Sequence, residues 1–109
     1  MIQDTISKIE ARIGQSGVKD DSKTELLKLL GTLKSEVAEL SKTHSEEAQS
    51  IAGFTQVSAH EATRAAPNPA LVKHSIDGLS ASVSGFEKSH PQLVALVNRI
   101  CTTLSNLGI

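Results

Sequence analysis

The chain has 109 residues, with 11 Lys and Arg against 12 Asp and Glu and a formal net charge of −1. That length bounds it to a single domain over 1–109 with a modest core, and the balanced charge provides no basic stripe for phosphates, so nucleic acid is not an expected partner. Aromatics are 2% of the residues, Phe54 and Phe86 being the whole set, so the core must come from Leu, Ile and Val, and sites that stack bases or sugars are disfavoured.

The longest apolar run is Leu93–Val97, far short of the roughly 20 residues that a membrane-spanning helix needs. The start, Met-Ile-Gln-Asp, lacks the basic and apolar segments of a secretory signal. A single cysteine excludes an internal disulfide framework. A soluble cytoplasmic protein with no integral membrane segment is expected.

Ile2, Ile6, Ile9 and Ile13 are spaced four, three and four apart, with charged residues on the other faces. The spacing predicts a short amphipathic helix closed by Gly14 and Gly17. A helix of this length is marginal in water, so the isoleucine stripe must dock. A membrane-surface helix is the alternative, disfavoured because the polar face is not predominantly basic.

Ser22-Lys-Thr-Glu25 reads as a capping box ahead of Leu26, Leu30, Leu33, Val37 and Leu40, with Leu27 and Leu29 widening the stripe. The width suits a bundle helix with two neighbours better than a strict two-stranded coiled coil. Gly31, inside this helix, is a candidate for a close helix crossing. Thr43-His-Ser-Glu46 is a possible further box. A continuous helix over 23–64 would be about 60 Å long, so either a kink at Thr43–Ser45 or oligomerisation is expected. Ile51, Phe54 and Val57, with small Ala48, Ala52, Gly53, Ala59 and Ala62, continue a helical pattern suited to close contact with a partner helix.

Ala66-Pro67-Asn68-Pro69 is the clearest break, with Asn68 placed to cap and Pro69 to open the next helix. Val72, Ile76, Leu79, Val83 and Phe86 keep the heptad, but Gly78, Gly85 and four serines make this the weakest helix by propensity. The final helix is announced by Ser89-His90-Pro91-Gln92, read as a capping box with Pro in the first turn. Leu93, Val97, Ile100, Leu104 and Leu107 form its stripe, and Gly108 stands where a left-handed C-terminal residue is wanted.

Phe86-Glu-x-Ser-His-Pro, this amphipathic helix and the terminal Leu-Ser-Asn-Leu-Gly-Ile together resemble the C-terminal end of a family of short bacterial helical proteins, domain of unknown function 4404. Over residues 1–42 the likeness is only a generic amphipathic pattern, and 43–69 looks like an extension beyond the shortest members. The resemblance implies an all-helical fold and assigns no activity.

A shift of about 46 positions superposes Lys42-Thr43-His44-Ser45-Glu46 on Lys88-Ser89-His90-Pro91-Gln92. It also superposes Leu33 on Leu79, Leu40 on Phe86, Ile51 on Val97 and Phe54 on Ile100. Two copies of a helical hairpin would produce this echo, and so would any two heptad helices in phase. The duplication requires a bend at Thr43–Ser45.

The candidate metal-binding residues are His44, Glu47, His60, His74 and His90, the first two being three apart on one helix face. No metal or other cofactor is expected. Cys101, at the edge of an apolar stripe, reads as a buried inert thiol. Glu46-Glu47 and Asp20-Asp21 suit helix starts better than acid–base catalysis, and no catalytic constellation is recognisable. An all-α bundle of four or five helices, homodimeric and non-catalytic, is therefore expected to act through protein–protein interaction with an unknown partner. The alternative is a metal- or small-ligand-binding bundle built on the histidines.

Overall fold

The computed structural model describes residues 2–15, 17 and 19–107. Among the described residues there are five α-helices and no strand: α1 (Ile2–Gln15), α2 (Asp20–Leu40), α3 (Ser45–Thr63), α4 (Pro69–Ser82) and α5 (Pro91–Leu107). They pack as a closed ring in the order α1, α2, α5, α4, α3 and back to α1, with α3 also reaching α2 and α5. The molecule measures 37 × 24 × 21 Å, so no 60 Å rod exists. The chain kinks at 41–44, which removes helix length as an argument for oligomerisation.

The expected stripes point inward. Ile6, Ile9 and Ile13 of α1, Leu26, Leu29, Leu30, Leu33, Val37 and Leu40 of α2, and Leu93, Val97, Ile100 and Leu104 of α5 form one buried apolar core. Burial of this kind contributes about 1.5–3 kcal/mol per large side chain, enough to hold helices too short to stand alone. Ion pairs latch the ring from outside. Lys34 meets Glu10 at 3.0 Å and Arg99 meets Glu25 at 2.9 Å, tying α2 to α1 and to α5.

Helix starts depart from the expected caps in three places. α2 begins at Asp20, with Lys19 at its N-cap and no side-chain cap bond, so the Ser22–Glu25 box is not formed. Two acids in the first turn supply the favourable charge instead, and Glu25 faces Arg99. α3 has His44 at its N-cap, also without a side-chain cap bond. The hydroxyls of Thr43 and Ser89 are 2.8 and 2.9 Å from the Nδ1 of the histidine that follows each. The expectation at Asn68 holds: its Oδ1 accepts from the N–H groups of Ala70 (3.0 Å) and Leu71 (3.4 Å), and Pro69 opens α4.

α4 stops at Ser82, before the heptad does. Ser75 and Ser82 donate their hydroxyls to carbonyls of the preceding turn, a local bond that competes with regular helix, and Gly85 turns the chain at φ 98°. Val83 and Phe86 are nonetheless buried at 2% and 9% exposure, so the apolar pattern outlives the helix. Gly78, not Gly31, is the glycine of close approach. A Cβ there would lie 2.5 Å from the Phe54 ring, whereas at Gly31 the nearest atom would be 4.0 Å away. Gly108, expected to end α5, lies outside the described residues.

Candidate functional site

α3 is the helix that determines the outer surface. Its inward face carries Ala48, Ile51, Ala52, Thr55, Ser58, Ala59 and Ala62, mostly small side chains that let α1 and α4 approach its backbone. Its large apolar residues point the other way: Phe54 is 41% and Val57 48% exposed. Phe54 lies over Gly78 of α4, and α4 adds Leu71 at 42% exposure. Among the described residues these three are the exposed large hydrophobics, and all belong to the α3–α4 pair. Ile51, expected alongside them, is fully buried.

Val57 also borders an open groove of about 470 Å³ between α1 and α3, lined by Lys8, Ile9, Arg12, Gln56, His60 and Glu61. Arg12 Nε donates to Thr63 Oγ1 at 3.3 Å, and Glu61 is held by Arg64 at 2.9 Å. The outer face of α3 thus sets two exposed apolar side chains, Phe54 and Val57, among exposed polar ones, with a charged groove on the α1 side.

The candidate metal-binding residues separate into two sets. His60 is exposed beside Glu61, with Nε2 4.0 Å from its carboxylate; His74 is exposed on α4 and Glu47 on the first turn of α3. Among the described residues, no three His, Cys, Asp or Glu side chains come together as a metal-binding group. His44 and His90, in contrast, meet. Their ring centroids are 6.1 Å apart with planes at 82°. Phe86 stands edge-on to both, at 5.5 Å from His44 and 5.4 Å from His90. The two histidines meet because both corners lie at the same end of the ring.

The two corners share the backbone bonds made at the histidine. His44 N–H donates to the Leu40 carbonyl and His90 N–H to that of Phe86, both at 2.8 Å. The carbonyls of His44 and His90 then accept from Ala48 (2.9 Å) and Val94 (3.2 Å). The Thr/Ser-His echo read from the sequence is therefore a repeated turn, and the chain bends at 41–44 as the duplication requires. Phe86 was read only as the last residue of a stripe; its place between two imidazoles needed the three-dimensional arrangement.

Cys101 is 8% exposed, with Sγ 3.9 Å from the Ile76 carbonyl. Burial, with a smaller effect of nearby Asp77, pushes its thiol up to about 11. It stays protonated at neutral pH and is a poor nucleophile.

Among the described residues, no helix is long and apolar enough to cross a membrane. No curated protein and no solved structure matches the chain. A family model does match, over residues 26–109. The matched span begins within α2 and takes in both corners, so the segment 43–69 falls within its bounds and α1 lies outside them. The chain belongs to the family described as Domain of unknown function (DUF4404).

Proposed function

We propose that the protein is a non-catalytic helical module that acts through protein–protein contact, with the outer face of α3 and α4 as its contact surface and a second copy of the chain as its first partner. The observation that supports this is the orientation of α3, whose small residues point inward while Phe54 and Val57 point into solvent, with Leu71 exposed on α4. A lone exposed apolar side chain is ordinary. Three on adjacent helices, one of them aromatic, have the composition of an interface centre. In a two-fold pair the same residues would face each other across the axis, and the groove edged by Lys8, Arg12 and Glu61 would form the polar rim. The reading places the module in the cytoplasm, where a lone buried thiol persists reduced.

Sedimentation equilibrium tests it, comparing the wild type with a Val57→Asp/Leu71→Asp variant. Both positions are exposed, so helicity should be unchanged in the variant. The expected result is a dimer mass for the wild type at micromolar concentrations and a monomer mass for the variant. A wild type that remains monomeric across the accessible range would overturn the self-association.

A further inference from the structure

Glu46, Ser50, Gly53, Val57, His60 and Arg64 follow one another at intervals of four, three, four, three and four residues, so they run down one face of α3. All are exposed except half-buried Gly53. The stripe is symmetric in spacing about Thr55, with an acid at one end and a base at the other. We propose that it packs antiparallel against the same stripe of a second copy, with Val57 of each chain seated over Gly53 of the other and Glu46 of each meeting Arg64 of the other. The pairing rests on the self-association proposed above, whose direction and register it fixes.

Gly53 supplies the hole. A Cβ added there would meet no atom within 4 Å, so open space stands over the α3 backbone one turn before the exposed Val57. A two-fold axis crossing the middle of the helix at right angles sets residue 53 of one chain opposite residue 57 of the other. Each valine then fills the space above a glycine, and the two helices can approach to the short end of the usual range of about 8–10 Å. Gly78 differs, because Phe54 of its own chain already covers it.

Charge sets the direction. The first turn of α3 holds Glu46 and Glu47, its last turn holds His60, and Arg64 stands at its C-cap. Lys8 and Arg12 of α1 add cations beside that basic end, on the wall of the groove that Val57 and His60 also line. Antiparallel pairing brings the acidic end of each α3 to the basic end of the other, at both margins of the contact. Parallel pairing would instead set Glu46 against Glu46 and Arg64 against Arg64, with glycine opposite glycine. Solvated ion pairs of this kind add little affinity; their part is to select the orientation.

Nothing else on this face opposes the fit. Glu61, the acid within the basic half, is bound by one Nη of Arg64 at 2.9 Å and lies 4.0 Å from His60 Nε2. The Arg64 guanidinium carries further N–H donors for Glu46 of the other chain. Thr55, at the axis, is buried, and its hydroxyl donates to the Ile51 carbonyl at 2.7 Å. Ser50 and His60, between the centre and the ends, set a hydroxyl opposite an imidazole.

The test mixes isotope-labelled wild type with unlabelled Gln49→Cys/Cys101→Ala chains that carry a nitroxide at residue 49, so that any relaxation effect passes between chains. Gln49 is exposed in the N-terminal half of α3, and the broadening is expected to be strongest at amides 60–64. In sedimentation equilibrium, Gly53→Gln should weaken the dimer at least about tenfold by filling the hole. The same substitution should raise the thermal stability of the monomer, because glycine is a poor helix former and the site is open within the chain. Glu46→Arg and Arg64→Glu should each weaken the dimer, and the double variant should recover most of the wild-type affinity, with helicity by circular dichroism unchanged throughout. A dimer with broadening strongest at 46–50, a Gly53→Gln dimer as tight as the wild type, or no recovery in the double variant would overturn the register and leave the self-association standing. A wild type that stays monomeric would overturn both.

Discussion

α3 and α5 are the returning helices of two hairpins with matched corners, and they dispose of their bulk in opposite ways. α5 buries Leu93, Leu96, Val97, Ile100 and Leu104; α3 buries alanines, Thr55 and Ser58 around a single large residue, Ile51. At corresponding positions Ile51 and Val97 are both fully buried, but Phe54 is 41% exposed where Ile100 is 0%. The neighbours explain the difference. α3 is flanked by α1 as well as α4, and the isoleucines of α1 already fill the core on that side. α5 lies between α2 and α4 and does not meet α1, and its large side chains fill the space themselves. A repeated local turn thus fixes where the chain reverses, while the neighbours decide which side chains a returning helix can bury.

The comparison predicts first that Ile100→Ala costs about 3–5 kcal/mol in chemical denaturation, as deletions in a packed core do. Phe54→Ala at the corresponding position should cost under about 1 kcal/mol of monomer stability. Equal losses would erase the distinction between the two helices. Next comes overpacking: Ala59→Leu, at 2% exposure, should cost about 1–3 kcal/mol by wedging α3 from its neighbours. A neutral result in the same denaturation series would mean that α3 is not closely packed.

Ser58 sharpens the contrast further. Its hydroxyl is fully buried with no protein hydrogen-bond partner, where α5 has Leu104. Ser58→Ala should therefore be neutral or stabilising by up to about 1 kcal/mol; a clear loss of thermal stability would contradict the account of that site.

Cys101 gives a pH-dependent effect. Its thiol is raised in the folded state to about 11 from 9.0. Stability from the buried neutral thiol is thus fully present below pH 9 and is lost as pH rises through 11. Relative to Cys101→Ala, the wild type should lose stability over that window, and thiol labelling of the native protein at pH 8 should be slow. The smallest effect is expected at the outer ion pair of Arg99 and Glu25. Glu25→Ala should cost no more than about 1 kcal/mol, because both side chains are largely solvated.

Much of this fold was legible before the structure. The isoleucine, leucine and valine periodicities located the helices and left open only whether 23–64 bends, the Pro67–Pro69 segment and its Asn68 cap marked the central break, and Cys101 was read correctly as buried. The reading failed where side chains had a choice of partner. Thr43 and Ser89 could have capped a helix or met a neighbouring ring, and they met the ring. Phe54 fell on an apolar stripe by spacing, but periodicity does not reveal that α1 and α4 crowd α3 too closely to admit a phenyl ring. The early end of α4 was hidden because Val83 and Phe86 continue the pattern through non-helical backbone. His44 and His90 came together only through tertiary arrangement, although the Thr/Ser-His echo had already marked their corners as equivalent.

The central claim is that the large side chains α3 turns outward, with Leu71, form the working surface. A methyl NMR dilution series measures this directly. The Val57 and Leu71 methyl signals should shift with protein concentration, while those of Leu33 and Leu79, both fully buried, should not. Concentration-dependent shifts elsewhere, with Val57 and Leu71 unmoved, would contradict the account.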